Sequence, residues 1–110
     1  GAAAADAGEA AAAALSQAAR LAPSRARIHY NAGLAHQRLE RWNEAESFLL
    51  HALSLEPGNP EAEKAVVILY LQQQRHADAL PHARALIALR PEDPSARALL
   101  ARAEAGVAPR

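Results

Sequence analysis

Five histidines, His29, His36, His51, His76 and His82, are the residues of this chain best suited to chemistry near neutral pH. An imidazole can hold a metal or move a proton. Spacing decides which use is open. His29 and His36 stand two helical turns apart, beyond the one-turn spacing at which two side chains of a helix share an ion. His76 and His82 are separated by a turn and a helix start, and His51 has no neighbouring ligand. No metal site is expected. Serines and acids are present, but nothing places a nucleophile beside a base, so no catalytic residue is assigned. Gly58 is a lone turn glycine and not part of a phosphate-binding loop, and no cofactor is expected. Glu44, Glu46, Glu61 and Glu63 read as solvated charges that favour helix N-termini.

Charge and composition narrow the partner classes. Twelve basic and twelve acidic residues cancel, so there is no general basic face for nucleic acid. No apolar run approaches a membrane span, so direct membrane insertion is not expected. Cysteine is absent, which removes disulfides and thiolate sites and fits cytoplasm or periplasm alike. The stretch from Gly1 to Ala5 lacks the basic start and strong apolar core of a secretory signal, and reads as an arbitrary boundary. Lys64 is the only lysine among many arginines; with the abundant alanine, this suggests a GC-rich bacterial genome.

The elements that must carry these residues are helices. Of the apolar 51% of the chain, 31 residues are Ala, the strongest helix former. Pro23, Pro57 and Pro91 recur every 34 residues, and the register around them agrees. Ala11, Ala45 and Ala79 align; so do Ala18, Ala52 and Leu86, and Leu21, Leu55 and Leu89. A period of this length belongs to stacked helical hairpins, each of which buries its apolar face only against a neighbour. About six helices are expected. Asp6 to Glu9 reads as a turn before the first. Ser24 is taken as the cap of a helix over roughly 25–40, and Asn43 as the cap of the next, to Leu55. Glu56-Pro57-Gly58-Asn59-Pro60 is a break, with Pro60 in a first helical turn. The run Val66 to Leu71 could be a strand, but its flanks extend it beyond strand length, and a buried helix over 61–74 is expected. Pro81 is placed in the first turn of the following helix, which ends near Arg90. The last helix runs from Ser95 to Ala105, with Gly106 as terminator and a frayed end from Val107 to Arg110.

The chain resembles the tetratricopeptide repeat family. The residues that carry the likeness are Ala32-Gly33, then Ala45, then Pro57 in one repeat, and Tyr70, Ala79 and Pro91 in the next. The opening aromatic of the family pattern is missing from both, and Val67 replaces its small residue. The resemblance implies an all-α, right-handed superhelical solenoid of antiparallel hairpins. One domain over 1–110 would comprise a partial repeat (1–25), full repeats (26–59 and 60–93) and a terminal helix (94–106). His36 occupies an inward aromatic position of the family, which implies a packed core histidine.

The resemblance also implies a concave groove lined by the first helix of each repeat. Its candidate residues are Arg27, Tyr30, Asn31, Leu34, Gln37 and Arg38 in the first full repeat. Lys64, Ile68 and Leu71 follow in the second, and Leu99 and Arg102 in the last helix. Apolar anchors with a basic rim suit a peptide or protein segment. A clamp for a C-terminal carboxylate is not supported, because Asn31 alone stands at a clamp-like position. The expected function is a non-catalytic protein–protein interaction module with a scaffold or assembly role. The competing readings are a repeat region of a larger enzyme or secretion-assembly protein, and a module that self-associates as a homo-oligomer through its incomplete terminal repeats.

Overall fold

A computed structural model describes the backbone of residues 2–109 and the side chains of residues 7–109. Among the described residues all regular structure is helical: α1 (Ala2–Leu21), α2 (Ala26–Arg38), α3 (Trp42–Leu55), α4 (Pro60–Gln72), α5 (His76–Leu89) and α6 (Pro94–Val107). The chain divides into two compact units, residues 1–57 and 58–110.

In the first unit, α2 packs on both α1 and α3. The α2–α3 contact is close because Gly33 has no side chain. A Cβ built there would lie 2.6 Å from Leu49 Cγ, and Leu49 is fully buried. Ala32, Ala45 and Ala52 complete the seam. In the second unit, α5 packs on α4 and α6, and α4 also touches α6. The core there is Val66, Val67, Leu69, Ala79, Ala83 and Leu86. The Val66–Leu71 run is helical, and α4 is buried on most of its circumference, as its all-round apolar character requires.

The turns inside the two hairpins are alike. Helix α2 ends with Glu40 at φ 58° and α4 with Gln74 at φ 60°. At the first, Arg41 N–H donates to the His36 carbonyl and Glu40 N–H to that of Gln37. At the second, Arg75 donates to Tyr70 and Gln74 to Leu71. This left-handed closure satisfies carbonyls that a helix end otherwise strands, although glycine is its usual residue. The breaks before α4 and α6 also match. Asn59 accepts from the Glu61 and Ala62 N–H groups, Asp93 accepts from Ser95 N–H, and Pro60 and Pro94 follow them directly.

Several local expectations fail. Asp6 to Glu9 is no turn: α1 runs through it, since one glycine among alanines costs a helix only about 1 kcal/mol. Ser24 does not cap α2; Arg25 holds that position without a side-chain bond. Asn43 lies inside α3, whose cap position is Arg41. Pro81 lies within α5 and beyond its first turn, where flanking packing of Ala79 and Ala83 holds the helix despite a missing donor. Gly106 does not stop α6, which continues to Val107. Gly1 and Arg110, parts of the expected boundary and frayed end, lie outside the described residues.

Candidate functional site

Each unit presents one face of its first-type helices that the hairpin seam does not use. In the first unit, Tyr30, Asn31, Leu34 and Gln37 of α2 are half-buried, while Arg27 and Arg38 are exposed at the ends of the stripe. These six residues lie along one side of α2; His29, Ala32, Gly33 and His36 occupy the side toward α3. In the second unit Lys64 and Ile68 are half-buried and Arg102 is exposed, but Leu71 and Leu99 are buried. Leu71, a candidate for the groove lining, is part of the core of α4. Lys64 Nζ lies 4.0 Å from Asp93 Oδ2, which offsets part of its charge. A small cleft of about 110 Å³ opens beside it, lined by Pro60, Glu61, Leu86 and Arg90 as well.

The histidines are organised in a way their spacing did not reveal. In the first unit the rings of His29 and His36 flank Phe48, with centroids at 6.0 Å and 5.5 Å; the His36 ring is stacked on it. His51 packs on His29 at 4.3 Å, and its Nε2–H donates to the Pro23 carbonyl at 2.9 Å. His36 is buried, in keeping with a packed core histidine, and its Nε2 is 2.7 Å from Ser16 Oγ on α1. Ser16 in turn donates its hydroxyl proton to the Ala12 carbonyl, also at 2.7 Å. The bond between them therefore runs from His36 Nε2–H to Ser16 Oγ.

That direction decides the chemistry. A serine whose proton is already engaged with a carbonyl, and which accepts from the imidazole, is not being deprotonated by it. The far nitrogen, His36 Nδ1, is buried without a partner, so no acid orients the ring. The pair lacks the arrangement of a nucleophile, base and orienting group. Burial pushes the His36 pKa down, with Arg41 adding to the shift and Glu44 and Glu9 opposing it. The open cleft of about 450 Å³ above this pair is lined by Arg20, Asn43, Glu44 and Ser47.

In the second unit Glu63 is buried, contrary to its reading as a solvated charge. His82 Nδ1–H donates to its Oε1 at 3.3 Å, across the α4–α5 seam. Tyr70 lies on the other side of His82 at 5.9 Å, and Arg75 covers the Tyr70 ring at 4.5 Å. No signal at short range marks Glu63 or Ser16: their partners stand 19 and 20 residues away. The 34-residue period does mark Glu63, as the equivalent of His29. Among the described residues, no group of three or more His, Asp or Glu side chains could hold a metal ion. None of their helices is long and apolar enough to cross a membrane.

Comparison with known proteins agrees with this architecture. The tetratricopeptide repeat family profile matches residues 26–59. Among solved structures, the MamA RS-1 ArsTM double mutant is 27% identical with a TM-score of 0.84, over 90% of this chain and 56% of that one. TTC0263, a thermophilic TPR protein in Thermus thermophilus, is 33% identical with a TM-score of 0.75, over 87% of this chain and 49% of that one. PcrH, solved in complex with the chaperone binding region of PopD, is 22% identical with a TM-score of 0.72, over 92% of this chain and 76% of that one. The chain spans about half the length of the first two. No curated protein matches the sequence.

Proposed function

The chain belongs to the tetratricopeptide repeat family, and from that premise we propose that it is a non-catalytic protein–protein interaction module with a scaffold or assembly role. Its partner is a peptide or protein segment taken up by the free faces of the first-type helices. In the first unit Tyr30, Leu34 and Asn31 make the contact, with Arg27 and Arg38 at the rim. In the second unit Ile68 is the apolar anchor, beside Lys64 and Arg102. The observation that carries this reading is the state of α2: its α3 side is filled, while Tyr30 and Leu34 stay half-open on another side, between two exposed arginines. PcrH, which shares the fold, is solved with the chaperone binding region of another protein, so the fold is able to hold such a segment. A second reading places this region in a longer protein, where it positions a catalytic or membrane-bound partner. The greater length of the matched structures supports it.

Peptides selected from a random displayed library against the 110-residue chain test the first reading. Leu34→Ala and Ile68→Ala should each weaken the selected peptides by tenfold or more in a titration, since interface energy concentrates at apolar anchors. Arg38→Ala should cost less, and Arg84→Ala, on α5, nothing. Loss of binding on Arg84→Ala with no effect of Leu34→Ala would move the site to the second-type helices and defeat the proposal.

A further inference from the structure

The open stripe of α2 is Arg27, Tyr30, Leu34 and Arg38, and one 34-residue period later the same positions of α4 are Glu61, Lys64, Ile68 and Gln72. Exposure runs in the same order on both helices: exposed, half-buried, half-buried, exposed. Helix α4 lies in the interior of the chain, with α5 and α6 both packed on it. The stripe is therefore open by its register in the repeat, and not by its distance from a chain end. What differs between the two helices is charge. The α4 stripe begins with an acid, and its Lys64 lies 4.0 Å from Asp93. The α2 stripe is basic at both ends, and α2 carries no acidic residue at all.

Neither of these two arginines is used by the fold. Arg41, Arg75 and Arg97 pair with Glu9, Asp78 and Glu92. Among the described residues Arg27 and Arg38 have no hydrogen-bond or ion-pair partner, and Glu40 in the turn after α2 makes no pair with Arg38. Arg27 is the second residue of its helix, at the positive end of the helix dipole, with Arg25 at the cap position before it and no acid in the first turn. A cation there costs the helix a little, whereas Glu61 at the equivalent position of α4 is the charge the dipole favours. Local stability therefore gives no reason for Arg27, and an incoming carboxylate does.

Resting on the partner site described above, we propose that the segment taken up by α2 carries side-chain carboxylates on both sides of an apolar residue. At 3.6 residues per turn, Arg27, Leu34 and Arg38 fall within about 40° of one another around the helix, with Tyr30 on one side of that line and Asn31 on the other. The apolar residue lies on Leu34 and Tyr30, and the two acids meet Arg27 and Arg38. The eleven residues between the arginines span about 16 Å of helix, which an extended segment covers in about five residues. The acids contribute selectivity and speed of association more than strength, because exposed charge pairs are weak but steer the encounter and reject basic segments.

Selection from the random displayed library reads this out directly. Peptides that bind the 110-residue chain should be enriched in Asp and Glu on both sides of an apolar residue. A chain carrying Arg27→Glu and Arg38→Gln, the residues α4 has at these exposed positions, should select apolar peptides without that enrichment; an unchanged helical circular dichroism spectrum checks its fold. A selected peptide is then synthesised with both ends blocked. Replacing its acids by Gln should weaken binding to the wild-type chain about threefold to tenfold, the range for two exposed charge pairs, and leave binding to the double variant unchanged. The loss should lie in the association rate and largely disappear at about 0.5 M salt. Selected peptides that depend on Leu34 but show no acid enrichment, or that are enriched in Lys and Arg, overturn this inference and leave the interaction module standing. A peptide that binds only with its C-terminus free moves the carboxylate to the chain end and overturns it as well. If no selected peptide depends on Leu34, the partner site itself falls, and this inference with it.

Discussion

The α2–α3 and α4–α5 hairpins are built on the same period but exchange their volumes across the seam. The first sets Gly33 under Leu49. At the equivalent positions the second sets Val67 and Ala83, both fully buried. A large residue has moved from the second helix to the first, and a small one the other way. The lesson is that this fold constrains the sum of the two side chains at the crossing more tightly than either one. Close packing explains why: a void loses contacts and a clash forces backbone movement, but a matched exchange does neither. The polar positions follow the same pattern of exchange. His29 and Phe48 in one hairpin become Glu63 and His82 in the other, so an unpaired imidazole against a ring is replaced by a hydrogen-bonded pair.

The sharpest way to break this comparison is to convert one hairpin into the other. Leu49→Ala alone should cost about 2–5 kcal/mol, as buried leucine truncations do. Gly33→Val alone should cost about 1–3 kcal/mol through overpacking. The double substitution recreates the pair of the second unit, and should cost at least about 1 kcal/mol less than the two single effects added together. Urea melts followed by the fluorescence of Trp42, the only tryptophan and a residue of α3, would report it. Strict additivity would mean that the two positions do not share one space.

A smaller effect separates the hairpins by pH. The folded His36 has a pKa below 6.5, chiefly because burial disfavours its charged form. The folded state therefore binds fewer protons than the unfolded chain once pH drops below that value. Its contribution to stability is complete above 6.5 and declines as pH falls toward the folded value. Its equivalent in the second unit is Tyr70, a phenol in place of an imidazole. His36→Phe should accordingly flatten part of the loss of stability between about pH 7 and pH 5 in Trp42-monitored melts. A pH profile identical to that of the parent would remove His36 from the account.

The smallest expected effect concerns what the hairpins share. Glu40 and Gln74 both hold left-handed backbone that favours glycine. Glu40→Gly and Gln74→Gly should each stabilise by about 0.5–1 kcal/mol, after the extra freedom that glycine gives the unfolded chain. Similar gains at both sites would confirm one turn geometry used twice. A loss at one site alone would show that its side chain contributes more than the strain it imposes.

Much of the fold is legible in the sequence because its determinants are local. Pro23, Pro57 and Pro91 each stand two residues beyond a helix end, since proline cannot continue the backbone bonding there. Asn59-Pro60 and Asp93-Pro94 set helix starts by chemistry confined to a few residues. The period itself located the buried alanines of α3 and α5. Where local signals compete they misled: Ser24 and Asn43 could cap, yet the helices begin at Ala26 and Trp42. Only the tertiary structure revealed that Glu63 is buried against His82, that Ser16 accepts from His36, and that Leu71 and Leu99 belong to the core. Each of these depends on which helix lies opposite, and residues some twenty positions apart carry no mark of their meeting until two helices are laid side by side.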